Sequence, residues 1–288
     1  MTDVRSWASG LAGLCLSIAA AGAAAAEPGS ELINTIQAQR RLAIERVILQ
    51  TTGEIESGQA EGKRLAEAFR NRAIARSHLL QYAEALQDFN QAIEIEQVNA
   101  QYYEDRAITY LKLREFGAAS RDLDMALGLE TKRSSAFREK GRLAFYQRDY
   151  ALAAREFSRA LDTGSGAAVV YSALWLHMAV KRGALSGEAP LAAILAQIDQ
   201  NQWPAPVLQM FTGALQPAEA IAAAASPDPR SDLMLKCEGY FYAGQEHLIR
   251  ADAKQAKAAF ETALATGVTE FLEYDWSVRE LELLKQTP

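Results

Sequence analysis

AEAFRNRAIARSHLLQYAEALQDFNQAIEIEQVN, residues 66–99, decides how the rest of the chain is read, because the next two blocks of 34 repeat it column by column. Residues 100–133 read AQYYEDRAITYLKLREFGAASRDLDMALGLETKR, and residues 134–167 read SSAFREKGRLAFYQRDYALAAREFSRALDTGSGA. One column holds Phe69, Tyr103 and Phe137, the next the small residues Ala73, Ala107 and Gly141, a third Tyr82, Phe116 and Tyr150. Further columns hold Ala85, Ala119 and Ala153, then Phe89, Leu123 and Phe157, then Ala92, Ala126 and Ala160. A unit this short cannot bury its own apolar face, so the pattern demands stacking of consecutive units into one continuous core.

This period and its columns resemble the tetratricopeptide repeat, which implies two antiparallel helices, A and B, in each unit. The small column would let A and B approach closely, and the aromatics would fill the gap to the next unit. The expected fold is all-α: a tetratricopeptide-repeat solenoid, a superhelix of antiparallel helix pairs, with an irregular helical insert and a C-terminal closing helix. Such an architecture is built for binding but does not name what it binds.

The totals narrow the function further. In 288 residues, 23% are charged and the net charge is −6, with no clustered Lys and Arg of the kind that displaces counterions from nucleic acid. Arg64, Arg70, Arg72 and Arg76 alternate with Glu61, Glu67 and Glu84, which reads as a solvated, salt-bridged helix face. Two cysteines, Cys15 and Cys237, exclude a disulfide framework, and Cys237 reads as a half-buried packing residue near a helix start.

Taken in order, residues 1–26 read as an export signal: Arg5 opens it, an uncharged apolar run follows, and AAAAEP ends it. Ala24 and Ala26 satisfy the small-x-small rule, so cleavage is expected after Ala26 and the mature protein in the periplasm. Leu14 before Cys15 spoils a lipid-attachment motif, and the alanine- and glycine-rich second half is weakly apolar for an anchor. Membrane association would follow only from lipidation of Cys15 or retention of the leader. Residues 27–65 form an N-terminal helix, read either as a cap on the array or as a dimer-forming helix. The three units span 66–167. A fourth helix (AAVVYSALWLHMAVKR, 167–182) opens the stretch 168–232, whose remainder is an irregular helical insert containing NQWPAP (201–206) and Pro217 at a helix start. Across 233–288 the repeat returns, with Tyr240, Gly244, Ala256, Phe260 and Ala263 on the earlier columns. A closing helix follows, with Thr269 as N-cap and Phe271, Tyr274, Val278, Leu281 and Leu284 as its apolar face over the array's open end.

This order of parts, with YSALWLHMA, a Trp-bearing insert, YFYAGQ and a terminal ELELL, is similar to that of the NlpI-type envelope proteins of Gram-negative bacteria. The resemblance implies a non-catalytic adaptor that dimerises and gathers peptidoglycan hydrolases and a processing protease. The spoiled lipid-attachment motif departs from that family.

Motifs for chemistry are not evident. His78, His177 and His247 are far apart in sequence, without carboxylate or Cys at metal-ligand spacing, and read as structural. Asp122 and Asp124 stand two apart on a helix, point to different sides and read as solvated. No cofactor or small-molecule substrate is implied; a hydrolase site within 183–232 is a remote alternative, and a self-assembling envelope component a nearer one. The carboxylate clamp of some tetratricopeptide domains would fall on Arg70, Ile74, Asp105, Ser135 and Glu139, and two acids and an isoleucine there cannot hold a carboxylate. What remains is the concave face for a protein or peptide partner, assigned by register to Arg70, Ile74, His78, Glu104, Ile108, Leu111, Arg138, Arg142, Phe145 and Tyr146. Phe145 and Tyr146, near Arg138 and Arg142, are the expected anchor.

Overall fold

The computed structural model describes residues 28–269 and 271–286, so the leader and Cys15 lie outside the described residues. Every regular element described is a helix. After α1 (Pro28–Glu56) come three antiparallel pairs: α2 (Gly62–His78) with α3 (Tyr82–Ile95), α4 (Ala100–Lys112) with α5 (Phe116–Leu129), and α6 (Ser134–Tyr146) with α7 (Tyr150–Thr163).

The 34-residue columns become the packing of each pair. Ala73, Ala107 and Gly141 are buried on the A helices, while Phe89, Leu123 and Phe157 are buried on the B helices. Gly141 shows why the column must stay small: a Cβ there would lie 2.7 Å from the Phe157 ring. Each A helix ends in the same turn. Leu80, Arg114 and Arg148, 34 positions apart, sit at φ 63°, 60° and 63°. The N–H of the following residue reaches back five positions, as from Glu115 to the Tyr110 carbonyl at 2.9 Å, the bond that closes a Schellman-type helix end.

That turn identifies two more A helices. After α8 (Ala167–Arg182), Ala184 has φ 48° and the Leu185 N–H donates to the Val180 carbonyl. No long partner follows; the chain instead makes the short helices α9 (Leu191–Leu195), α10 (Ala205–Phe211) and α11 (Pro217–Ala222). Their Leu191, Ile194, Val207, Leu208, Met210 and Phe211 join the core around α8. Buried at every residue from Val170 to Val180, α8 is covered all round and apolar there except at Ser172 and His177, as suits a central helix. After α12 (Pro229–Ile249), Ala251 has φ 60° and α13 (Ala253–Ala265) completes a true pair; a Cβ on Gly244 would meet the Phe260 ring at 2.5 Å, repeating Gly141 and Phe157. Cys237, expected half-buried at a helix start, is fully buried inside α12.

The last helix, α14 (Leu272–Gln286), begins three residues beyond Thr269, which therefore is not its N-cap. Its most buried side chains are Glu273, Trp276, Ser277 and Glu280, whereas Phe271, Tyr274, Val278, Leu281 and Leu284 are half-buried. The apolar stripe is therefore not the deepest face. The deepest one is aromatic and acidic, made tolerable by partners described below.

Buried ion pairs tie the two helices together in each of the first two units. Arg72 and Asp88 make a two-pronged bond at 2.8 and 2.9 Å, and Arg106 and Asp122 repeat it 34 residues later at 2.7 Å. Asp122 is therefore buried and paired, which corrects the expectation that it is solvated; only Asp124, bonded to Lys140 at 2.6 Å, is exposed. The arginine patch is corrected likewise. Arg70, Arg72 and Arg76 are mostly buried and draw their counter-charges chiefly from Asp88 and Asp105.

Candidate partner-binding groove

On the A helices α2, α4 and α6 the residues assigned by register to the concave face fall, at the 34-residue period, in three rows. Arg70, Glu104 and Arg138 form the first, Ile74, Ile108 and Arg142 the second, His78, Lys112 and Tyr146 the third. Four-residue steps along each helix keep the rows on one face.

The first row is a network of charges. Arg70 donates to Asp105 at 2.5 Å, and Gln101 donates to the same carboxylate at 2.8 Å. Glu104 accepts from Arg133 and from the Ser135 hydroxyl at 2.8 Å. Burial pushes the Asp105 and Glu104 carboxyls up, against the pull of the Arg70 and Arg133 guanidiniums. Glu104 is 4% exposed, so it holds the array together and offers nothing to a partner, contrary to expectation. Arg142 donates to Glu139 at 2.5 Å and lies over the Trp175 ring at 5.4 Å.

In the second row Ile74 and Ile108 are both half-buried, at the same position of adjacent A helices. Ile74 packs on the Ala73, Ala85 and Phe89 cluster, and Leu111 on the core of the second pair.

At Lys112 and Tyr146 the third row is covered by α14. Lys112 donates to Asp275 at 2.7 Å and Arg114 to Glu282 at 2.8 Å. Arg182 and Gln245 both donate to Glu280. Trp276 inserts between them, its ring 5.6 Å from Phe145, 4.9 Å from Tyr146 and 5.0 Å from Trp175. Phe145 is thereby 2% exposed, and Tyr146 is sandwiched among Phe116, Trp276 and Arg279. The expected anchor pair is thus occupied from within. The missed residues are Asp275, Trp276, Glu280 and Glu282, and the signal for them was an acidic helix following basic A-helix ends.

His78 lies under Arg40, whose Nη2 is 3.5 Å from its Nδ1, and burial followed by the charges of Arg40 and Lys112 lowers its pKa to about 4. His177, its ring 4.7 Å from that of Phe211, is lowered to about 4 by burial and Lys181. Among the described residues no group of three His, Cys, Asp or Glu side chains converges as a metal site, and no helix is long and apolar enough to cross a membrane.

No protein-family model matches the chain. A tetratricopeptide repeat protein from Parabacteroides merdae is similar in structure at a TM-score of 0.52 and 16% identity, over 90% of this chain and 100% of that one. The first tetratricopeptide domain of Spaghetti, solved with an HSP90 peptide, matches at 0.39 and 18% identity over 44% of this chain and 99% of its own. YrrB, described as having an unusual peptide-binding site, matches at 0.39 and 16% over 75% and 91%. The full-length likeness to the Parabacteroides protein and the three recurring pairs agree on one fold, the all-α tetratricopeptide-repeat solenoid.

Proposed function

We propose that this tetratricopeptide-repeat solenoid is a non-catalytic scaffold that holds a protein or peptide segment in the part of its groove left open by α14. The observation that carries this reading is the pair Ile74 and Ile108. They occupy matching positions on neighbouring A helices, half-buried, on a face otherwise lined by charges already engaged in ion pairs. Apolar rungs bordered by paired charge suit an extended or helical segment with spaced apolar side chains. Arg70 and Arg138 would border that segment, with His78 at its end. The ion pair of Arg70 on α2 with Asp105 on α4 ties the neighbouring A helices that carry the rungs, so the groove is organised before a partner arrives.

The finer reading places the protein in the periplasm, exported by residues 1–26, with partners that act on the cell wall. It draws on the leader sequence and on the similarity in the order of parts to NlpI-type adaptors. The test is retention of envelope proteins by the purified full chain, compared with an Ile74→Asp/Ile108→Asp variant of unchanged circular dichroism. Loss of retained partner by at least ~10-fold is expected; equal retention by the variant places binding elsewhere. Fusing residues 1–26 to a reporter active only outside the cytoplasm tests export separately.

Self-association is a second reading, favoured by one feature of α1. Leu42 and Leu49 are 55% and 75% exposed one heptad apart, and Leu32, ten residues before Leu42, is exposed too. Sedimentation of wild type against Leu42→Asp/Leu49→Asp decides it, and an unchanged monomer in both removes it.

A further inference from the structure

The two ends of the solenoid meet. Helices α1 and α2 run antiparallel: Arg64 bonds Glu54, Arg72 bonds Thr52, and the far end of α2, His78, meets Arg40. Because α2 ends there, the residues of α1 before Arg40 overhang it by about 18 Å at the helical rise per residue. This overhang reaches the last repeat. Gln37 Nε2 donates to the Gly267 carbonyl at 2.8 Å, and Ile33 and Ile36 face Leu233 and Met234 across a gap of about 20 Å³. Gly267 has φ 68°, and a Cβ there would lie 2.7 Å from the Gln37 amide and 2.9 Å from the Ile33 methyl, so a side chain at 267 must displace one or both.

The two halves of α1 are held unequally. On the α2 side Thr51 is buried and two arginines of α2 bond the helix. From residue 31 to 50 no side chain is buried, and among the described residues before Arg40 Gln37 alone makes a side-chain hydrogen bond to another element. A helical segment of roughly a dozen residues is marginal in water by itself, so undocking and fraying of the overhang would occur together. Through Arg40 the strap also covers His78, one helical turn beyond Ile74 on α2.

We propose that residues 28–41 are a strap that opens as a unit while the repeats stay folded, and that its opening admits a segment to the groove. The admission step rests on the binding reading above; the opening does not. Native-state hydrogen exchange on the full chain, in a Cys15→Ser background, tests the opening. Amides 31–41 are expected to exchange together and at least ~100-fold faster than those of 44–56 and of α2. Gly267→Val, whose side chain collides with Gln37 and Ile33, should leave 31–41 unprotected without changing α2 to α7. In Ile33→Cys/Gly267→Cys the two Cβ atoms fall within disulfide reach; oxidation should slow exchange in 31–41 by at least ~10-fold relative to the reduced protein. Exchange of 31–41 at the rate of α2 in wild type, with no response to either variant, overturns the strap. The admission step is read from partner retention. Loss on oxidation, restored by reduction, is expected, and equal retention by both forms overturns admission. If the Ile74→Asp/Ile108→Asp variant retains partner while 31–41 opens as expected, the groove reading fails and the opening stands.

Discussion

Replacing Trp276 by Ala should release α14 from the groove without unfolding the repeats. The ring is 4% exposed and meets Phe145, Tyr146 and Trp175 within 5.6 Å. A buried Trp covers on the order of 200 Å², which at about 25 cal/mol per Å² is ~5 kcal/mol. Measured losses for comparable truncations run about 3–5 kcal/mol, so ~4 kcal/mol is expected. The ion pairs of Lys112 with Asp275 and Arg114 with Glu282 cannot make up the difference. Each has a partner more than a third exposed or close to it, and such pairs contribute about 0–1 kcal/mol. The buried bond of Arg182 to Glu280, made in wild type and variant alike, does not offset the loss. In a solenoid each element is stabilised by its neighbours, so the loss should stay local. Hydrogen exchange in residues 273–286 should accelerate by up to about three orders of magnitude, the kinetic equivalent of ~4 kcal/mol. Exchange in α2 to α5 should not change. A milder Val278→Ala, on a half-buried position, should cost about 1 kcal/mol. The reasoning is refuted if Trp276→Ala and Val278→Ala have equal effects, or if α2 to α5 loosen as much as α14.

Further outcomes follow from single contacts. Gly141→Ala should destabilise by about 1–2 kcal/mol in urea titration, because the Phe157 ring cannot yield; a gain of about 1 kcal/mol would mean helix propensity wins instead. Asp122→Asn leaves Arg106 without its buried counter-charge and should cost about 2–3 kcal/mol, whereas Asp124→Asn, 58% exposed, should change stability by less than about 0.5. Similar costs for both would refute the distinction. Acidification should weaken the fold through His78 and His177. Their folded pKa of about 4 lies below the unfolded value, so the unfolded chain takes up protons first and stability falls from about pH 6.5 to about pH 4. Each contributes up to about 3 kcal/mol to that loss, and His177→Gln should flatten its share of the curve of denaturation midpoint against pH. An unchanged slope would refute the assignment.

Much of the fold is legible in the sequence because repeat packing is local. Ala107 against Leu123 or Gly141 against Phe157 is a contact within one unit, so its chemistry recurs every 34 residues and can be counted without coordinates. The three rows of the concave face follow from the same arithmetic, and Ile74 and Ile108 emerge as expected neighbours. What the sequence cannot show is which of those rows the chain itself occupies. Trp276 lies more than a hundred residues from Phe145 and Tyr146, on a helix whose apolar stripe points to other residues as its buried face. Glu280 can lie deep because Arg182 and Gln245, distant in sequence, stand beside it. Periodicity likewise marked Asp122 and Asp124 as equivalent surface acids, and only the position of Arg106 separates a buried pair from an exposed one. The sequence by itself determined the repeat and the helix pairing, because these depend on contacts a few residues to one repeat away. The filling of the groove by α14 and the meeting of α1 with the last repeat were decided by the tertiary structure alone, because superhelical curvature brings together residues that no sequence period relates.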